Sequence, residues 1–347
     1  MGLFDQLRKK PPPLPTASER EALALVDAIE TTPHMSTILI ALDQRLGADA
    51  AALDGPERRF LETLRARLTT GRLELPAIPE VMLRLDRALR DPDVGVRVVA
   101  DAVRAEPIAT LKLIGVANAA TFAGLGRVST VEGAIGRLGF AETKRVVLAA
   151  ALASRLTRVA GWEEDIERTY QHSIATALAT QAIADRDAAP PDEHYLAGLV
   201  HDVGRSVVLA VVGELERQDR PRLRVAASFV RAVMSALHAE LSALTLERWN
   251  GTPDAVVAVR FHPTPRLVGP LGARAMAYRL ALADDLARYL LDPAIAARPL
   301  TDAADPEARL ALAVDDGTLA ELVEQVAVQA RAFGLPVVGA EAARAAG

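Results

Sequence analysis

Histidine and aspartate residues give this sequence its clearest chemical potential. Five of the six histidines of the 347-residue chain fall between residues 172 and 262. One of them, His201, is followed directly by Asp202 within a stretch of Leu, Val, Ala and Gly. Burying an imidazole and a carboxylate there costs free energy unless hydrogen-bond partners or a cation compensate. Since imidazole nitrogen and carboxylate oxygen together suit zinc, iron, manganese or nickel, the pair predicts a polar network or a metal site.

The other histidines decide between these two interpretations. His172 and His238, like His201, have small or apolar neighbours, so we expect them to face a core. A lone core histidine is usually structural, whereas several on separate helices, accompanied by carboxylates, favour a shared metal centre. Only one of the adjacent Asp284 and Asp285 can face the core, and the pattern favours Asp284. The candidate metal-ligating set is therefore His172, His201, Asp202, His238, His262 and Asp284.

Four further residues are given structural roles. His194 lies in the first turn of its predicted helix, and His34 lies in the N-terminal part; we expect both at the surface and outside the metal set. Trp249 is predicted to be a core residue and not a stacking platform for a ligand. Asn118 is predicted to end a helix by hydrogen bonding and not to contact a ligand.

Composition excludes several classes of function. The chain has 40 Lys and Arg against 45 Asp and Glu, a net charge of -5, and no dense basic block, which argues against direct nucleic-acid binding. Without cysteine, a disulfide, a thiolate nucleophile and a Cys-ligated metal are excluded. The longest apolar runs, such as 146–153 and 207–212, are shorter than the roughly 18 to 20 residues of a membrane span. We therefore expect a soluble, cytoplasmic protein without membrane association.

The chain is predicted to be all-α, because aromatic residues are scarce at 4% while Ala, Leu, Val and Arg dominate. Capping residues, prolines and glycines divide it into a flexible Pro-rich tail (1–17), an N-terminal helical module (18–71) and a larger helical region. The helices predicted after residue 71 span 79–90, 94–105, 107–116, 129–138, 141–159, 162–185, 192–212 and 226–249, followed by one beginning at Pro253 and one from residue 270. A loop at 292–306 and a final helical pair to about residue 333 complete the prediction.

Motifs spread along the chain carry a resemblance to a known family. They lie at 75–81, 106–109, 116–120, 129–139, 172–173, 196–204, 238–249 and 261–263. The order of His172, His201-Asp202 and Asp284 resembles the HD superfamily of metal-dependent phosphohydrolases, in which a His, a His-Asp pair and a distant Asp hold the catalytic metal. The flanking motifs resemble more closely the HDOD family, the HD-related output domain of bacterial signalling proteins.

The resemblance covers residues 72–265 and implies an all-α, multi-helix HD-like bundle. It divides that region into an N-terminal helical half (72–160) and an HD-like half (161–265), with the helices of 266–347 completing the HD-like half and a frayed tail. Relatives that cleave cyclic dinucleotides carry a lysine after the His-Asp-x-Gly turn, a double histidine and a Gly-Tyr-Pro signature. Here Arg205 replaces that lysine, Phe261 precedes His262, and Gly-Tyr-Pro is absent. Arg205 could still bind a phosphate oxygen.

Two functions from different classes follow. The leading hypothesis is a signal-transduction scaffold with a residual metal site, whose partner is a signalling protein or a small regulatory ligand. The alternative is a metal-dependent phosphohydrolase or phosphodiesterase acting on a nucleotide or cyclic dinucleotide, with iron, manganese, zinc or nickel as the divalent metal. A third hypothesis gives the N-terminal module a role in oligomerisation, and a homodimer is left open.

Overall fold

A computed structural model describes the chain at residues 38, 53, 55–119, 126–154, 156, 159–218, 224–269 and 271–339. All regular structure in these ranges is helical and none of it is β-strand, which confirms the all-α prediction. The predicted tail 1–17 and residues 18–54 of the predicted N-terminal module, His34 among them, lie outside the described residues, apart from Ile38 and Leu53.

Helix α1, Gly55–Thr69, is the described part of the N-terminal module. Its apolar residues recur at helical spacing and are buried, as the sequence predicts. The chain leaves the helix at Gly71, whose φ of 65° lies in the left-handed region that glycine adopts without strain. The apolar face of α1 packs in one cluster with residues from the later segments 207–215 and 230–241, which places α1 beside the HD-like half.

Among the described residues, four helices form the region 72–160. They are α2 (Glu80–Ala88), α3 (Val96–Arg104), α4 (Pro107–Ala117) and α5 (Val131–Ala153). Asn118 ends α4 as predicted, since its amide donates to the carbonyl oxygens of Ile114 and Val128 and its Oδ1 accepts the Val128 N–H. The two helices predicted at 129–138 and 141–159 meet within α5 at a kink at Gly139, whose φ of 78° and ψ of 170° are not helical, and the second ends at Ala153.

The HD-like half begins with α6 (Glu163–Arg186), α7 (Pro191–Val200), α8 (Gly204–Gln218), α9 (Ala227–Arg248) and α10 (Pro253–Phe261). A short 3₁₀ turn at Pro265–Leu267 leads to α11 (Leu271–Leu291). The chain continues through α12 (Pro293–Ala296), α13 (Leu300–Ala303), α14 (Pro306–Ala311) and α15 (Asp316–Ala332). The loop predicted at 292–306 is therefore wrong in part, because it contains α12, which has Pro293 in its first turn, and α13, which follows Pro299 at the N-cap.

The single helix predicted at 192–212 is also wrong, because the chain turns at residues 201–203 between α7 and α8. Gly204 donates its N–H to Ser242 Oγ at 2.9 Å instead of continuing the helical ladder. A Cβ at Gly204 would lie 2.3 Å from the carbonyl oxygen of His238, so only glycine allows α8 to start this close to α9. Packing between helices thus ends α7 at a point where local propensity predicts continuation.

Two helical stretches, Pro191–Gln218 and Ala227–Arg248, are long and apolar enough by composition to cross a membrane. Their apolar windows are 83% and 61% buried within the protein, as in core helices that pass the same test. Trp249, at the end of α9, is a core residue as predicted, and its indole N–H donates to the Pro76 carbonyl oxygen at 2.9 Å.

His194 contradicts its prediction, since it is only 3% exposed. Helix α11 covers the first turn of α7, and Arg279 of α11 lies 3.4 Å from His194 Nε2. The Nδ1–H donates to the Pro190 carbonyl oxygen at 2.8 Å. Burial lowers the pKa of His194, and the Arg279 charge lowers it further, although the hydrogen bond to Pro190 opposes both. The folded protein therefore holds this imidazole neutral.

Replacement of His194 by glutamine should reduce the loss of stability in acid. In the unfolded chain the imidazole takes up a proton below its ordinary pKa of 6.5, whereas the folded state disfavours that proton. The free energy of unfolding of the wild type should fall as the pH drops below 6.5, and His194→Gln should show a shallower fall. Urea unfolding of both proteins at several pH values between about 8 and about 5 measures the two slopes. Equal slopes would contradict the assignment.

Candidate metal centre

Five elements of the HD-like half bring the six predicted residues together. His172 comes from α6, His201 and Asp202 from the turn between α7 and α8, and His238 from α9; His262 follows the last residue of α10, and Asp284 lies on α11. Five of the six line a cavity of about 830 Å³, and His201 lies fully buried behind them. The predicted set thus converges at the base of one cavity.

Backbone carbonyls fix the orientation of three imidazoles. His201, His238 and His262 each place Nδ1 at 2.7, 2.9 and 2.8 Å, respectively, from the carbonyl oxygen three residues earlier. A carbonyl oxygen only accepts, so each Nδ1 carries a proton, and in the neutral ring each Nε2 presents a lone pair. Neighbouring rings are 5.1 to 5.3 Å apart between centroids, with His262 between His201 and His238.

Asp202 lies between two groups of imidazoles. Its Oδ2 is 3.9 Å from His201 Nε2 and 4.0 Å from His172 Nε2, whereas its Oδ1 is 3.7 Å from His238 Nε2. Asp284 Oδ1 lies 2.8 Å from His172 Nε2 and 3.8 Å from His201 Nε2. Two overlapping triads result, each with its ligand atoms within 4.8 Å: His172, His201 and Asp284, and His201, Asp202 and His262.

Two buried atoms show that these residues fit a divalent metal. His201 Nε2 and Asp202 Oδ1 lack hydrogen-bond partners among the described residues. Leaving a buried donor or acceptor unsatisfied costs about 1 to 3 kcal/mol, and more for a charged group. A lone pair and a carboxylate oxygen in one dry pocket are the atoms that a cation would satisfy together.

The electrostatic surroundings set the protonation that metal ligation needs. Burial raises the pKa of Asp202, but His201, Arg205, His238 and His172 outweigh it and hold that pKa far below its usual value. Burial lowers the pKa of His262 to about 3, assisted by two neighbouring imidazoles. Metal ligands must be deprotonated, so the carboxylate and this imidazole are ready to bind.

His201 differs from the other imidazoles. Burial acts to lower its pKa, but the charges of Asp202 and Asp284 outweigh burial and raise it. Burial lowers the pKa of His238. A cation entering beside His201 would take the place of a proton, because both neutralise the same two carboxylates.

Arginines donate hydrogen bonds to the Oδ2 atoms of Asp202 and Asp284. Arg205 Nε donates to Asp202 Oδ2 at 2.7 Å, so the predicted ligand-binding arginine also fixes a candidate metal ligand. Arg288 donates to Asp284 Oδ2 and lies 3.2 Å from Asp285 Oδ1. Sequence reasoning missed Arg288, although its position four residues after Asp284 is the spacing of a helical ion pair.

Asp284 takes the site position that the sequence favours over its neighbour. Asp285 instead accepts the backbone N–H of Asp305 at the start of α14, at 2.8 Å. The two adjacent carboxylates of α11 thus divide between the metal centre and the cavity wall.

A buried ion pair joins the two helices that carry His238 and His262. Arg260 Nε of α10 lies 2.9 Å from Glu240 Oε2 of α9, and their side chains are 4% and 12% exposed. Sequence reasoning missed this pair, although two charges within apolar helical faces are a signal for it. The pair lies two residues from each histidine and fixes the register of α9 against α10.

Breaking this pair on one side should destabilise the protein strongly. Glu240→Gln leaves the Arg260 charge buried, and the loss of one partner from a buried pair costs about 3 to 5 kcal/mol. The double variant Glu240→Leu with Arg260→Met should recover most of that loss, because it removes both charges. Urea unfolding measures each value, and Glu80→Gln, from an exposed pair, is the control. If the double variant loses as much stability as Glu240→Leu and Arg260→Met lose separately and added together, the role of the pair is contradicted.

Comparison with known proteins gives both a sequence match and a fold match. The HDOD domain family model matches residues 75–265. An uncharacterized protein of Treponema pallidum (strain Nichols) is 21% identical over 201 residues, which are 54% of this chain and 37% of that protein. This chain thus corresponds to little more than a third of that relative's length.

Solved structures share the helical fold at low identity. An HDOD domain protein with unknown function from Geobacter sulfurreducens is 21% identical with a TM-score of 0.51, covering 75% of this chain and 95% of its own. A protein of Shewanella amazonensis SB2B with the provisional name phosphohydrolase is 21% identical with a TM-score of 0.54, at 75% and 94% coverage. One of Marinobacter aquaeolei VT8 with the provisional name signal transduction protein is 20% identical with a TM-score of 0.53, at 82% and 65% coverage. The family match spans more than half of the chain and agrees with its ordered motifs and helical fold, and on these grounds the chain belongs to the HDOD family.

Proposed function

We propose that this chain is a bacterial signal-transduction protein whose HDOD domain acts as a ligand-sensing or protein-binding scaffold with a divalent metal at its centre. The observation that carries the proposal is the pair of unpartnered buried atoms, His201 Nε2 and Asp202 Oδ1, at the base of a large cavity. A buried metal would satisfy both atoms and hold five separate elements together. A ligand in the cavity would then act on the relative positions of those elements.

The metal would be held by nitrogen and oxygen ligands alone. His172, His201, Asp202 and Asp284 surround one position, His238 faces the other oxygen of Asp202, and His262 belongs to the second triad with His201 and Asp202. This donor set suits iron, manganese, zinc or nickel. When bound, such a metal lowers the pKa of a water molecule and polarises a phosphoryl oxygen. The carbonyl bonds of the three imidazoles keep their Nε2 lone pairs aimed at the centre.

A metal-dependent phosphohydrolase or phosphodiesterase acting on a nucleotide is the second candidate. It is favoured by the same cavity, whose volume of about 830 Å³ suits a nucleotide and whose walls include Arg168, Arg205, Arg231 and Arg288. The provisional phosphohydrolase name of the Shewanella amazonensis SB2B protein supports this candidate as well. Against it, Arg205 replaces the lysine of cyclic-dinucleotide-cleaving relatives and is engaged with Asp202.

The remaining assignments complete the proposal. We infer that the protein is cytoplasmic and that its partner is a signalling protein or a small regulatory ligand, in agreement with the name of the Marinobacter aquaeolei VT8 protein. The net charge of -5 supports the absence of direct nucleic-acid binding. The proposed domain spans 72–160 and 161–265, with 266–347 contributing Asp284. Residues 18–71 are the N-terminal helical module, whose helix α1 packs against α8 and α9, and we propose that this module supports a homodimer.

Metal content and hydrolysis, measured together, test the proposal. Protein purified without chelator should contain a stoichiometric transition metal and show no turnover of cyclic or linear nucleotides. Asp202→Asn should weaken metal binding by more than the roughly 10- to 100-fold that loss of an outer-shell partner costs. Asp187→Asn, which removes the charge from an ion pair with Arg279, is the matched control and should keep its metal.

The outcomes separate the two candidates. Metal together with turnover that Asp202→Asn abolishes would establish the phosphohydrolase and reject the scaffold. Wild-type protein that remains metal-free after incubation with each of the four metals would reject both.

A further inference from the structure

The Arg288 side chain contacts Asp284 of the candidate metal centre and also lines the cavity. Its guanidinium donates to Asp284 Oδ2 and lies 3.2 Å from Asp285 Oδ1, and both contacts use the same nitrogen, Nη2. The guanidinium has five N–H donors in a planar fork. The side chain is 49% exposed and lines the cavity. Donors beyond those that face the two aspartates are therefore open to whatever enters.

The charge of the cavity wall depends on the metal. Among the described residues that line it, six are aspartates and four are arginines, so the wall carries two formal negative charges in excess: Asp165, Asp202, Asp284, Asp285, Asp292 and Asp305 against Arg168, Arg205, Arg231 and Arg288. An anion entering this wall meets net repulsion. One divalent cation at the base balances the excess, and the arginines then determine what the cavity attracts.

We propose that Arg288 couples the metal centre to a phosphate-binding position in the cavity, so that a phosphorylated small molecule and the metal each strengthen the binding of the other. The inference rests on the proposed metal centre. A metal on Asp284 Oδ1 neutralises the carboxylate and weakens its hold on Arg288, which frees the guanidinium for a phosphate. Conversely, a phosphate that draws Arg288 from Asp284 restores negative charge to the carboxylate and tightens the metal. The two effects are equal in free energy, because coupling between sites is reciprocal.

Phosphate is the ligand chemistry that fits this arrangement. The guanidinium fork matches two phosphoryl oxygens at once, with charge-assisted hydrogen bonds. Arg205 repeats the arrangement on Asp202 from α8, with its side chain 30% exposed in the same cavity. The volume of about 830 Å³ lies within the range for small-molecule sites, so the phosphate can belong to a larger organic molecule.

Titration with Mn²⁺, in the presence and absence of inorganic phosphate, measures the coupling in the full chain. The readout is free Mn²⁺ by electron paramagnetic resonance, corrected with a protein-free titration for the Mn²⁺ that phosphate itself binds. Phosphate should tighten Mn²⁺ binding to the wild type by about 5- to 150-fold, the usual range for coupled sites. In Arg288→Gln this factor should fall at least about fivefold. Arg168→Gln is the matched control, since Arg168 lines the same cavity but pairs with Glu164 and Asp165; it should keep the wild-type factor.

A second arm identifies the group that is bound. A nucleoside 5′-monophosphate should tighten Mn²⁺ as inorganic phosphate does or more, and the corresponding nucleoside should have no effect. An equal effect of the nucleoside would overturn the phosphate assignment. An equal phosphate factor in wild type and Arg288→Gln, or a wild type that binds Mn²⁺ without any phosphate effect, would overturn the coupling while leaving the metal centre intact. Failure of the wild type to bind Mn²⁺, zinc, iron or nickel would reject the metal centre itself.

Discussion

Burial of the Asp202 carboxylate is the constraint on which the HD-like half depends. A buried negative charge needs opposite charges around it, and the protein supplies two imidazoles from helices α6 and α9, the imidazole of His201 in the turn, and one arginine. Arg205 donates to Oδ2, and Oδ1 has no hydrogen-bond partner among the described residues. Three imidazoles and one arginine thus act together on a single carboxylate.

The packing of the helices places these charged groups around Asp202. Gly204 lets α8 approach the backbone of α9 and makes the chain turn at His201 and Asp202, so both side chains enter the core from a turn. The Glu240–Arg260 pair then aligns the two histidine-bearing helices that face this turn. Helix packing and the buried ion pair fix the positions of whole helices, and the helices in turn position the side chains at the centre.

The sequence was sufficient for the fold class, the family and the six residues that meet at the centre, because periodic apolar faces and ordered motifs are local signals. It was insufficient where long-range packing decides. The turn after Val200 depends on the backbone of α9, and the burial of His194 depends on Arg279, 85 residues later. Arg288 was missed because its importance comes from the cavity it faces, which only the assembled helices define.

Asp284 lies 19 residues beyond the end of the family match, on a helix that packs against both α6 and α10. The region that the family model matches and the region that supplies all six residues of the centre therefore have different lengths. Comparative surveys that trim chains to the shared region would record this centre as lacking its second carboxylate.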